Sequence, residues 1–192
     1  MNVKRFPIGE YVENCYMLTT EESSEAILID PGDGVQKVID FANSQQLDIK
    51  TVLITHGHFD HTNGLKDLKN AFDCTVYMNK LDLPLVTDAH LVDEDVKDGD
   101  NFKLGNYTIK AITTPGHSLG GVCYICDNML FSGDTLFKGS IGRTDLLGGN
   151  YDVLINSIES KLFILPDEIE VFPGHGFSST IGIEKRTNPF FI

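Results

Sequence analysis

The stretch Thr55-His56-Gly57-His58-Phe59-Asp60-His61-Thr62-Asn63-Gly64, THGHFDHTNG, sets three histidines and an aspartate within six positions. The chain has six histidines in all, so half of them stand here. His56 and His58 are two apart, and an extended backbone puts both rings on one side. Gly57 between them suggests a tight local path. Asp60 and His61 then turn back toward the same point as the chain enters a helix. The apolar run TVLIT just ahead reads as a strand, so the cluster lies where a strand gives way to a loop.

Outward from this loop, the same placement recurs. His117 follows YTIKAITTPG, Asp134 closes MLFSGD, and His175 closes EIEVFPGH, each after an apolar, strand-like run. NCYMLTT, EAILIDPG and TVYMN read as further strands, and GVCYICDNMLFSGD as two strands joined at Asp127-Asn128. GVQKVIDFANSQQ carries Val35, Val38, Ile39 and Ala42 at helical spacing. NYDVLINSIESKLFIL reads as a second helix with Asn150 as N-cap, and KLDLPLVTDAH as a short helix interrupted at Pro84. His90 in that segment is expected to face solvent. Two halves, each of strands and helices, imply an α/β (α+β) chain folded as an αββα sandwich, residues 1–192 forming one domain.

His56, His58, Asp60, His61, His117, Asp134 and His175 therefore converge on one edge of the sandwich. Imidazole and carboxylate without cysteine suit Zn2+, Fe2+ or Mn2+, with Zn2+ the expectation. Seven ligands exceed what one tetrahedral zinc takes. They suit two divalent ions with three ligands each and one shared carboxylate, for which Asp134, alone after its strand, is the candidate.

Composition excludes several classes. Net charge is −13, from 28 acidic and 15 basic residues without a basic run, which speaks against nucleic-acid partners. No apolar run reaches the ~18 residues of a membrane span, and the N-terminal residues carry no apolar signal core. Cys15, Cys74, Cys123 and Cys126 show no disulfide framework, which fits a reducing, cytoplasmic setting. Cys123 and Cys126 lie in one predicted strand, point to opposite faces, and read as small core residues.

HxHxDH followed by a lone His, an Asp and a final His resembles the signature of the metallo-β-lactamase superfamily over nearly the whole chain. The resemblance implies an αββα sandwich of two mixed sheets flanked by helices. It implies His56, His58 and His117 on a first metal, Asp60, His61 and His175 on a second, and Asp134 bridging them. Asp30 in LIDPG matches an early aspartate that orients the histidine-rich loop; it also reads as an aspartate opening a Pro-Gly turn, and both can hold. Zinc β-lactamases commonly place Cys at the position of Asp134, and flavodiiron proteins place Glu at that of His58. Nuclease branches carry extra domains or basic arms.

SGDTLFKGSIGRTDLLGGNY and IGIEKRTNPFF are similar to small glyoxalase II-like (hydroxyacylglutathione hydrolase-type) enzymes. These hydrolyse small thioesters such as S-lactoylglutathione to hydroxy acid and thiol with a metal-bridging hydroxide, which Asp60 also holds in line. Glyoxalase II proper adds a C-terminal helical domain that grips glutathione, so a weaker grip is expected here. Arg143 is a candidate anchor for a substrate carboxylate, with an ion pair to Asp145 or Asp60 as the alternative. Tyr151 either lines the pocket or opens a helix. The rival reading is a persulfide dioxygenase with one iron on His56, His117 and Asp134; a non-catalytic metal-binding protein is the third.

Overall fold

The computed structural model describes residues 1–192. Its first sheet runs β1 (Asn2–Ile8), β2 (Glu13–Thr19), β3 (Glu25–Ile29), β4 (Asp48–Leu53), β5 (Thr75–Met78) and β6 (Glu94–Asp95), in that spatial order. β1, β2 and β3 pair antiparallel, and β3 to β6 pair parallel. The chain then builds β7 (Asn101–Leu104), β8 (Tyr107–Thr113), β9 (Val122–Cys126) and β10 (Met129–Gly133) as an antiparallel run. A two-strand ribbon, β11 (Leu136–Phe137) and β12 (Ser140–Ile141), precedes β13 (Glu170–Pro173) and β14 (Ser179–Thr180). β13 pairs parallel with β10, so the second sheet, ordered β14-β13-β10-β9-β8-β7, is also mixed.

Alternation along the strands creates three apolar layers. On β2, Cys15 and Met17 face outward onto α1 (Gln36–Ser44), while Tyr16 and Leu18 face the second sheet. α1 buries Val38, Ile39 and Ala42, the stripe that the sequence spacing gives. α2 (Phe59–Thr62) is a single turn, and α3 (Leu65–Ala71) joins α1 on the outer face through Leu65 and Leu68. Val122, Tyr124 and Phe131 fill the space between the sheets, where the Tyr124 hydroxyl donates to Ile54 O at 2.9 Å. On the far side, Leu130 and Val171 pack under α4 (Tyr151–Ser157) and α5 (Ile181–Thr187) through Leu154, Ile158 and Ile181. The result is the expected αββα sandwich of two mixed sheets. Cys123 faces the outer layer and Cys126 the inner one; both are buried free thiols, as the strand reading required.

Several boundaries differ from the sequence reading. The helix expected from Asn150 to Leu165 is α-helical only to Ser157, then widens into a π-turn at Ile158–Leu162. Its N-cap is as expected, with the Asn150 side chain accepting from Val153 N at 3.1 Å. Lys80–Leu85 and Ala89–Leu91 are 3-10 turns, and His90 is exposed. β1, β7, α5 and the two-residue strands went unread; β1 alternates only weakly and carries Lys4, Arg5 and Pro7. No helix is long and apolar enough to cross a membrane.

Strand direction decides where the polar loops emerge. β3 and β4 run parallel, and β8, β10 and β13 share a direction in the second sheet. The loops leaving their carboxyl ends carry Asp30, His56–His61, His117, Asp134 and His175, so topology delivers them to one rim.

Candidate metal centre

The loop after β4 supplies four of the seven residues. His58 caps the single turn α2 in an extended conformation (φ −64°, ψ 149°), and the His56 and His58 rings lie 4.7 Å apart. Gly57 is needed, but not for a left-handed turn: a Cβ there would lie 2.5 Å from the carbonyl oxygen of Asp82. Crowding, rather than the backbone freedom suggested by the sequence, requires glycine at this point.

Asp30 sits behind this loop, buried and held at a left-handed φ of 52°. Its carboxylate accepts from Thr55 N at 2.7 Å, from Thr55 Oγ1 at 2.6 Å, and from His61 Nδ1 at 2.9 Å. Both readings of Asp30 hold, since its main-chain oxygen also accepts from Gly32 N at 3.1 Å across the Pro-Gly turn. With Nδ1 of His61 committed to Asp30, Nε2 faces the rim. The same logic orders three further rings. His56 Nδ1 meets Thr55 Oγ1 at 3.1 Å, His117 Nδ1 donates to Arg143 O at 2.7 Å, and His175 Nδ1 donates to Tyr11 O at 3.1 Å. His58 is the exception, presenting Nδ1 to His117 Nε2 at 3.0 Å.

The ligating atoms form two triads, His56–His58–His117 and Asp60–His61–His175, each with all atoms within 4.8 Å of one another. Asp134 lies between them. Its Oδ1 is 3.5 Å from His61 Nε2, and its Oδ2 is 3.7 Å from both His117 Nε2 and His175 Nε2. A glycine makes room for it, because a Cβ on Gly174 would stand 2.3 Å from Asp134 Oδ1. The structure thus brings all seven sequence-selected residues to one rim.

The donors fit divalent cations. His56 Nε2, His61 Nε2 and Asp134 Oδ1 are buried and have no hydrogen-bond partner. Each such group costs about 1–3 kcal/mol unless something answers it. A cation beside the carboxylate answers all three. Charge points the same way. Burial alone would lower the pKa of His61, but Asp134 and Asp30 outweigh it and push it up to about 10. Burial likewise opposes ionisation of Asp60, yet His175 and His61 hold its pKa down at about 2. His56, deeply buried among other imidazoles, is pushed well below the usual histidine range and stands as a neutral donor.

Residues 8–175 match the metallo-beta-lactamase superfamily. The chain belongs to that superfamily. Hydroxyacylglutathione hydrolase GloC of Haemophilus influenzae is 35% identical over 209 residues, spanning 99% of this chain and 98% of that protein. Among solved structures, the BLEG-1 B3 metallo-beta-lactamase aligns with a TM-score of 0.88 at 33% identity over 99% of both chains. ETHE1 of Myxococcus xanthus aligns at 0.88 with 30% identity, over 98% of this chain and 84% of that one. Superfamily members bind divalent metals through such His/Asp clusters.

Two residues of this superfamily centre escaped the sequence reading. Asp82, fully buried, accepts from Gly57 N at 3.0 Å, Ser118 Oγ at 2.6 Å and Gly120 N at 2.6 Å. It ties the His56–His61 loop to the loop that carries His117. Glu13, 1% exposed, places Oε1 4.0 Å from His61 Nδ1, and neither of its oxygens has a hydrogen-bond partner. Burial pushes its pKa well above the carboxylate range. The neighbouring backbone fastens the last ligand. Asn14 Nδ2 donates to Pro173 O and Gly176 O, the Tyr16 hydroxyl donates to Pro173 O, and Glu13 bridges His175 in an isolated antiparallel pair.

Arg143 acts through its main chain on His117, while its guanidinium is closed on Asp145 by bonds of 2.7 and 2.8 Å. Of the alternatives for that side chain, the ion pair to Asp145 is the one formed. Tyr151 opens α4 and does not line the cavity over the centre.

Proposed function

We propose that this chain is a metal-dependent hydrolase of small thioesters, glyoxalase II-like in its chemistry and using two divalent ions, Zn2+ in the first instance. The observation that carries the reading is the pair of triads with Asp134 between them. The 35% identity to a protein named hydroxyacylglutathione hydrolase, over nearly its full length, supports the substrate class. We take a small-molecule thioester as the partner, acting in the cytoplasm.

His56, His58 and His117 would hold one ion, Asp60, His61 and His175 the other, and Asp134 both. Ions bound there supply a water of lowered pKa and a Lewis acid for the carbonyl oxygen. The protein supplies position. A cavity of about 490 Å³ opens directly over His58, Asp60, His117, Asp134 and His175, so a carbonyl entering it meets both triads. The Asp60 carboxylate, with Oδ2 3.2 Å from His175 Nε2, faces this cavity and orients the attacking water in line. A departing thiolate has a reference pKa of about 8.5, so the site needs no strong proton donor for it.

The test combines composition with turnover. Elemental analysis of protein purified without chelator should find two ions per chain, and the loaded protein should hydrolyse S-lactoylglutathione or a smaller thioester. Asp134→Ala should lose both ions and all hydrolysis while keeping its circular dichroism. One tightly held iron, with oxygen uptake on glutathione persulfide, would move the chain to the dioxygenase reading. Turnover of a chromogenic cephalosporin with no thioesterase activity would move it to β-lactam hydrolysis. Metal without any of these turnovers would leave a non-catalytic metal-binding protein.

A further inference from the structure

Apart from Arg143, the wall of the cavity beyond the metal-facing residues is formed by aromatic and leucine side chains. Tyr11 and Phe59 meet edge to face at 5.3 Å, and Leu85, Leu146 and Leu147 line the cavity with them. From Leu85 and Leu147 the surface continues into a second hollow of about 160 Å³, which these two residues share with the first. Leu81, Pro84, Leu119 and Gly148 complete it. The absence of a side chain at Gly148 shapes its floor, since a Cβ there would press to 3.0 Å from Leu119 Cγ.

Charge is missing from this path. The single cation on the cavity wall is Arg143, and Asp145 closes it bidentately. The single charged residue around the second hollow is Asp82, whose oxygens are taken by Gly57, Ser118 and Gly120. A thiol carrying two carboxylates finds no free cation here, and the chain around it has a net charge of −13. Exposed leucines running from a reaction centre instead suit a hydrocarbon chain, whose burial is favourable without any polar partner.

We propose that the two joined hollows form the acyl subsite, and that the preferred substrate is a thioester with an unbranched apolar acyl chain of medium length. The carbonyl sits over the metal-facing residues, and the chain runs past Leu85 and Leu147 into the hollow between Leu81 and Leu119. This rests on the thioesterase reading above and specifies its substrate.

The experiment uses the metal-loaded full chain and N-acetylcysteamine thioesters of acetyl, butanoyl, hexanoyl and octanoyl groups, with S-lactoylglutathione alongside. The kcat/KM should rise by about threefold per methylene, within the range expected for burying CH2 groups, until the second hollow is full. Hexanoyl should then exceed lactoylglutathione. Leu81→Asp and Leu119→Asp replace side chains that are 61% and 57% exposed, so neither threatens the fold. Each should lower the octanoyl-to-acetyl ratio at least tenfold. A flat chain-length series, or lactoylglutathione preferred over every alkyl thioester, would overturn the acyl subsite while leaving the thioesterase reading intact. Unhydrolysable S-alkyl thioethers, titrated by calorimetry, separate the two failures. Affinity graded with chain length but no hydrolysis of any thioester would sink the thioesterase and keep the hollow as an alkyl site. Finally, if the aspartate variants convert a dimer to a monomer and leave the series unchanged, the leucines are an interface between copies and the proposal falls.

Discussion

The two halves of the metal centre are supported in different ways. In the first half, four residues come from one loop, and buried carboxylates hold that loop from behind: Asp30 grips Thr55 and His61, and Asp82 grips the backbone at Gly57. In the second half, His117, Asp134 and His175 come from three separate strand ends. There the two histidines are fixed by main-chain carbonyls, those of Arg143 and Tyr11. A carboxylate strut is removable by one substitution, whereas a carbonyl stays whatever side chain is attached. The first half should therefore be fragile toward point mutation behind the ligands, and the second half robust.

Asp30→Ala should break the first half most severely. It strips the orienting bond from His61 and leaves Thr55 N without its partner in a buried place. Metal affinity should fall about 10–100-fold, and urea denaturation should show a loss of roughly 2–5 kcal/mol. Asp82→Ala comes next. Three donors lose their acceptor, but none belongs to a ligand ring, so stability should fall by about 2–4 kcal/mol with a smaller change in metal affinity. An affinity loss as large as that of Asp30→Ala would show that the loop backbone, rather than ring orientation, controls binding.

Arg143→Ala is the corresponding probe of the second half. The carbonyl that accepts the His117 Nδ1–H hydrogen bond remains, and the ion pair lost is exposed and contributes little. Metal affinity by competition with a chromogenic chelator should stay within about twofold; a tenfold drop would erase the distinction between the halves. The smallest effect belongs to His90→Ala, at an exposed 3-10 turn, where melting temperature and metal content should both stay unchanged.

The same contrast governs what could be read from the sequence. The first-half loop is legible because its ligands are neighbours, and spacing alone says that their rings converge. His117, Asp134 and His175 are legible because each directly follows an apolar strand run. Asp82 and Glu13 have no such signal. Asp82 lies in the leucine-rich stretch KLDLPL, where one acidic residue reads as a solvated helix position; the fold turns it inward onto a loop 25 residues away. Glu13 opens a strand, and the residues against it, His61 and His175, come from far along the chain. Gly57 was legible as necessary but not for its reason, since the carbonyl that excludes a side chain belongs to Asp82. Strands with alternating apolar residues were found, whereas charged β1 and the two-residue strands depend on pairing partners that no local pattern reveals.

The clasp joining β2 to the end of β13 sets an order of events during biosynthesis. Asn14 reaches Gly176 across 162 positions, and Arg5 reaches the same carbonyl across 171. Chains emerge amino-end first at roughly 5–20 residues per second, so His175 leaves the ribosome roughly 6–24 s after His56. For that interval the histidine-rich loop exists without His175, the residue that completes the second triad. The clasp itself forms only once the segment after β13 docks against β1 and β2. The second triad is thus completed only after synthesis has passed residue 176.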